Sequence, residues 1–126
     1  MYAMVDYMRL LFYNLLILLL LPMMLVRVLI KSKGDKDYRL NLLQRLGYLS
    51  YNSSESPIWF HAVSLGEVIA SEKLLRKLQT HSNIFLTVST PTGLKQAKII
   101  YGKSIDIAYA PWDFSLFTKI FFKTIK

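Results

Sequence analysis

The sequence predicts an α/β protein: an N-terminal membrane helix, then a partial, doubly wound parallel sheet with its helices. Three observations predict it. Residues 10–26 are an uncharged run dominated by leucine. After Pro57, three short apolar runs rich in β-branched and aromatic residues alternate with three amphipathic stretches. Ser, Thr, Pro and Gly stand at the junctions, where helices start and stop. Short connections between buried strands and intervening helices imply parallel pairing through right-handed crossovers.

The first element is the apolar run. Leu10 to Val26 gives 17 residues, or about 26 Å of helix, close to the shortest that crosses a bilayer. Extension through Arg27 to Ile30, with the arginine snorkelling, fills the hydrocarbon thickness. Each central leucine favours insertion by roughly 0.5 kcal/mol, which outweighs Asn14 and Pro22. Val26-Arg27-Val28-Leu29-Ile30-Lys31 offers no small-residue cleavage site, so the segment reads as a retained anchor rather than a signal peptide. It shows no polar face of the kind expected on a core helix or an in-plane helix. The anchor therefore either spans the membrane or dips into one leaflet. Arg9 precedes it, whereas Arg27, Lys31, Lys33, Lys36 and Arg39 follow, and this bias places the following domain in the cytoplasm.

The remaining elements follow in order. Lys31 to Asp37 is a polar hinge, and Tyr38 to Leu46 a short helix stopped by Gly47. Tyr51 to Pro57 is a polar loop. Ile58 to Val63 reads as a buried strand, and Glu67 to Gln79 as a helix with Val68, Leu75 and Leu78 on one face. Ile84 to Ser89 and Ile105 to Tyr109 are further strands. Thr92 to Tyr101 and Asp113 to Phe122 are further helices, the last with Phe114, Phe117 and Phe121 on one stripe. The chain divides into a membrane anchor (1–33), a helix and linker (34–57) and an incomplete α/β domain (58–126).

Composition narrows the chemistry. The 126 residues contain no cysteine, which excludes disulfides and thiolate metal sites. His61 and His81 lie too far apart in the chain to suggest a zinc pair, and no metal or cofactor is expected. The formal charge of +8 is spread along the chain, with its densest early group just after the apolar run. That placement fits an anionic lipid surface better than nucleic acid.

Ligands in open α/β sheets gather at the carboxyl ends of strands. Two turns stand at such ends. Ser64-Leu65-Gly66-Glu67 matches the capping box, in which Ser64 caps the next helix and Glu67 reaches back to an amide. The same stretch offers Gly66 for close backbone approach, free amides for an anion, and the Glu67 carboxylate as a base for a bound hydroxyl. A cap and a base are compatible roles. Thr90-Pro91-Thr92-Gly93 reads as a helix start capped by Thr90, and alternatively as a loop whose hydroxyls and amides hold a phosphate or sugar. Asp113 reads as the cap of the last helix, and His61 as a structural histidine within a strand.

These motifs, in this order, resemble the N-terminal domain of 3-deoxy-D-manno-octulosonic acid (Kdo) transferases. The resemblance is carried by the leucine-rich Leu11 to Leu16, by Gln44-Arg45-Leu46-Gly47, and by Ile58 to Val68 around Ser64-Leu65-Gly66-Glu67. Thr90-Pro91-Thr92-Gly93 continues it, and Tyr109-Ala110-Pro111-Trp112-Asp113 is similar to the family's Tyr-Leu-Pro-Tyr-Asp. The resemblance implies a GT-B fold, in which two Rossmann-like domains face a cleft. It implies inverting transfer of Kdo from CMP-Kdo to a lipid A precursor at the cytoplasmic side of the inner membrane. The family's general base falls on Glu67, and the acceptor side on Ser64, Gly66, Thr90, Thr92 and Gly93. Gln44 stands where the family often has glutamate. The family's Glu-Thr-Glu-Leu-Trp-Pro-Asn run and its donor domain have no counterpart in these 126 residues. The expectation is therefore an N-terminal part of a transferase that does not catalyse alone. The alternative is a non-catalytic anchored module that binds anionic lipid or a partner protein.

Overall fold

The computed structural model describes residues 2–33, 41–53 and 55–126. The helix α1 runs Tyr2–Ser32 and carries Pro22 within it. It is long and apolar enough to cross a membrane over Asp6–Ile30. The hinge expected from Lys31 to Asp37, the start of the helix expected from Tyr38, and the basic residues Lys36 and Arg39 fall wholly or partly outside the described residues. What is described of that helix is one turn, α2 (Leu42–Arg45). Asn41 precedes it at φ 63°, and Gly47 closes it at φ +87°.

The order that follows is β1 (Ile58–Ala62), α3 (Leu65–Ala70), α4 (Glu72–Leu78), β2 (Ile84–Val88), α5 (Pro91–Tyr101), β3 (Asp106–Tyr109) and α6 (Ser115–Ile125). The three strands form one parallel sheet in the order β1-β2-β3. Ala62 pairs with Val88, and Val88 with Tyr109, so the carboxyl ends of all three strands stand level.

Alternation across β2 divides the interior into two layers. Ile84, Leu86 and Val88 point into a core with Ala62, Val68, Leu75, Leu94, Ala97 and Tyr101, which α3, α4 and α5 cover. Phe85 points the other way, to Ala108, Phe121 and Ile125 under α6. Helices on both faces make the sheet doubly wound, as the alternating pattern predicts.

Three expectations change in detail. The single helix from Glu67 to Gln79 starts two residues earlier and is interrupted at Ser71, whose hydroxyl donates back to the Val68 carbonyl. A serine that bonds its own preceding turn in this way bends a helix. The strand from Ile58 is an edge strand, with Ile58, Trp59 and His61 exposed, so its apolar character does not signify burial on both faces. The last helix begins at Ser115, and Asp113 does not cap it. Phe114 occupies the N-cap position without a side-chain bond. The cap comes instead from α1, where Asn14 Oδ1 accepts from the Ser115 amide at 3.1 Å. Asp113 accepts from the Tyr13 hydroxyl at 2.6 Å.

Candidate acceptor site

At the carboxyl end of β1 the chain leaves the sheet through Val63 and turns into α3. Ser64 sits extended at the N-cap, φ −131° and ψ 167°, and its Oγ accepts from the Glu67 amide at 3.4 Å. The Glu67 carboxylate reaches back further than the usual box. Its Oε2 accepts from the Val63 amide at 2.8 Å, and its Oε1 lies 3.5 Å from the Ser64 hydroxyl. Glu67 is exposed, so one carboxylate oxygen fastens the turn while the group still faces solvent at the strand ends. Gly66 is exposed as well, and a Cβ there would meet nothing closer than the Ser64 hydroxyl at 3.9 Å.

The second turn follows β2. Thr90 is extended, and its Oγ1 accepts from the Gly93 amide at 3.2 Å, with Pro91 opening α5 as the sequence predicts. Thr92 is exposed at the rim. Gly93 is buried, and a Cβ there would sit 2.9 Å from Thr90 Oγ1 and 3.5 Å from the Leu65 amide nitrogen and the Ser64 carbonyl carbon. The missing side chain is what lets the two turns touch. Ser64, Gly66, Glu67, Thr90, Thr92 and Gly93 thus converge at one end of the sheet, five around the rim and Gly93 beneath it.

Sequence reasoning missed a neighbouring cavity that shares Thr90 with this rim. Arg45 is buried, its guanidinium lies 4.0 Å over the Tyr109 ring, and Nη1 donates to the Ser89 carbonyl at 3.3 Å. The Arg45 carbonyl accepts from the Trp112 amide at 2.8 Å. Gln44 Oε1 accepts from the Tyr109 amide at 2.9 Å, a task that a glutamate carboxylate performs equally well. The α2 turn therefore clamps the end of β3 and the loop after it. A cavity of about 250 Å³ opens here, walled by Arg45, Ser89, Thr90, Pro91 and Trp112, with Met24, Arg27 and Val28 of α1 on the far side. Two arginines border it. The only trace of this in the sequence was the Gln44-Arg45-Leu46-Gly47 stretch, read as a family mark and not as part of a site.

His61 and Trp59 lie on the other face of β1. Trp59 Nε1 donates to Thr87 Oγ1 at 2.9 Å, and His61 Nδ1 is 3.0 Å from the same hydroxyl. Thr87 is fully buried, and its hydroxyl binds both rings to β2.

Level parallel strand ends, two capped helix starts in contact, an exposed carboxylate and an arginine-bordered cavity thus meet at one end of a doubly wound α/β domain. The family is given by comparison with known proteins. Residues 40–126 match the 3-deoxy-D-manno-octulosonic-acid transferase (kdotransferase) family, and the chain belongs to it. A 3-deoxy-D-manno-octulosonic acid transferase of Haemophilus influenzae is 37% identical over 107 residues, covering 81% of this chain and 25% of that relative. One of Bordetella pertussis is 35% identical over 72 residues, covering 52% of this chain and 17% of that relative. The chain thus spans about a quarter or less of the length of these curated relatives. No solved structure gives a significant match.

Proposed function

We propose that this chain forms the acceptor side of an inverting Kdo transferase, working on a membrane lipid at the cytoplasmic face of the inner membrane. The observation that carries the reading is the placement of Glu67, exposed at the level strand ends beside the Thr90 to Gly93 turn, within a chain of this family. The acceptor is a lipid A precursor and the donor is CMP-Kdo, held by a donor-side domain that these residues do not supply. Glu67 takes the proton from the acceptor hydroxyl. The acceptor oxygen then bonds to the anomeric carbon of Kdo while the bond from that carbon to the phosphate oxygen breaks, and CMP leaves with the electron pair. Attack opposite the departing CMP inverts the configuration. A positioned base of this kind contributes roughly 10²- to 10⁴-fold.

Ser64, Gly66, Thr90 and Thr92 form the rim against which the acceptor rests, and Gly93 keeps the rim closed. Arg27 and Arg45 at the neighbouring cavity suit the negative charge of a lipid head group. The apolar helix α1 holds the site at the membrane. The test is transfer of labelled Kdo from CMP-Kdo to a lipid A precursor in vesicles, by this chain with and without a donor-side domain. Transfer only in the combined sample is the expected result. Transfer by the chain alone overturns the division of labour, and no transfer by any combination overturns the activity.

A further inference from the structure

The exposed helix α1 makes contacts that decide how it sits in a bilayer. Its less exposed residues, Asn14, Ile17, Leu20, Leu21, Met24, Leu25 and Val28, repeat at helical spacing and form one stripe. That stripe faces the α/β domain. At one end Tyr13 and Asn14 bond to Asp113 and the Ser115 amide. At the other, Val28 is 8% exposed, and with Met24 and Arg27 it walls the cavity against Arg45 and Thr90. The opposite flank is bare: Phe12, Leu15, Leu19, Met23, Val26 and Ile30 are each more than half exposed.

We infer that α1 lies in the plane of the membrane, with its bare flank in the acyl chains of one leaflet and its other flank against its own domain. The inference rests on the membrane reading proposed above. From Asn14 to Val28 the helix rises about 21 Å, most of the roughly 30 Å hydrocarbon thickness. Were α1 upright across the bilayer, the domain groups at both ends of the stripe would be in hydrocarbon with it. Asp113 and Ser115 would be at one end, and Arg45, Ser89 and Thr90 at the other. Charged and polar groups there are costly, and the sheet's open backbone edge would lose its water. Moving the stripe out of the bilayer does not rescue an upright helix. The part of α1 ahead of the stripe, residues 2–13, would then enter the hydrocarbon, and it carries Asp6 and Arg9, which are costly there.

The in-plane arrangement also accounts for the composition. An interfacial helix usually shows a polar face because water lies on that side. Here the domain stands where the water would be, so the helix is apolar nearly all round and carries Asn14 at the polar contact. The partner is one leaflet of an anionic bilayer. Arg27 and Lys33 are exposed towards the carboxyl end of the helix, and the chain carries a net charge of +8.

The chain contains no cysteine, so single thiols can report depth. Phe12→Cys, Leu19→Cys and Ile30→Cys are made in the full chain, each at an exposed position, and labelled with a bimane fluorophore. The proteins are reconstituted in phosphatidylglycerol–phosphatidylcholine vesicles, floated, and quenched by lipids brominated near the head group or near the chain end. The in-plane helix gives stronger quenching by the shallow bromines at all three positions, with depths alike to within about twofold in quenching ratio. A floated chain with Leu19→Cys quenched most by deep bromines, and the two flanking labels most by shallow ones, spans the bilayer and overturns the inference alone. A chain that does not float overturns the membrane reading and this inference with it.

Discussion

At Glu67 a structural duty and the proposed chemical one meet in a single side chain. Glu67 fastens the Val63 amide and faces the solvent at the strand ends, so structure and chemistry are separable by substitution. A glutamine keeps the oxygen that the capping box uses but is no base at neutral pH. Glu67→Gln, measured with a donor-side domain present, is expected to hold the melting temperature and lower kcat by about 10²- to 10⁴-fold. Glu67→Ala loses the turn as well and should cost about 1 kcal/mol in denaturant unfolding. Equal activity of the glutamine variant and the parent would leave position 67 with capping alone. Tyr101 gives the pH dependence. Its phenol is buried, and burial raises its pKa above the ordinary 10.0, with the Ser71 hydroxyl opposing, Glu72 adding and Arg76 opposing. The folded state then holds the proton more tightly than the unfolded chain. The stability Tyr101 lends is therefore complete below pH 10 and is lost as pH rises through the raised folded value. Tyr101→Phe keeps the ring and removes the ionisation. Its stability should fall less steeply than the parent's above about pH 10, read by thermal melts at a series of alkaline pH values.

At the scale of elements, α6 is the piece on which one face of the sheet depends. Phe121 is fully buried, 5.5 Å from Trp59 and 6.0 Å from Phe85 between ring centroids. Phe121→Ala should destabilise by about 3–5 kcal/mol, whereas Phe122→Ala, at a ring 38% exposed, should cost much less; urea unfolding of both separates a buried hinge from a surface contact. Gly47 joins α2 to α6. Its φ of +87° and the Phe117 carbonyl facing it leave no room for a methyl, so Gly47→Ala should cost about 1–3 kcal/mol or more and loosen the Arg45 clamp. The sequence made the βα alternation legible because strand burial and helix periodicity are local signals. It made Thr90 legible as a cap for the same reason. It misread Asp113, which has the right chemistry at the right place for a cap but is held by Tyr13 from 100 positions away. The true cap, Asn14, lies inside an apolar run where a lone asparagine looks like a blemish. The arginine side of the site was hidden likewise, because nothing local in Gln44-Arg45 announces that it stacks on a strand 64 positions further on.

For the whole molecule, the proposed membrane attachment divides into an apolar part and a charged part, and salt distinguishes them. The bare flank of α1 exposes at least six large apolar side chains, each contributing on the order of 1–2 kcal/mol on entering an acyl layer. That sum is insensitive to salt. Each basic residue close to an anionic surface adds about 1 kcal/mol, and this part is screened once the Debye length falls towards 3 Å near 1 M salt. Arg27 and Lys33 are the described exposed basic residues towards the carboxyl end of the helix, so the electrostatic share is the smaller one. The full chain is therefore expected to stay on anionic vesicles through flotation at high salt, with only a modest rise in the free fraction. Leu19→Glu and Met23→Glu together, placed in the middle of the flank and away from every contact with the domain, should release it at physiological salt. Release of the parent by salt alone, with the double variant no weaker, would mean that charge and not the leucine flank holds the protein to the lipid.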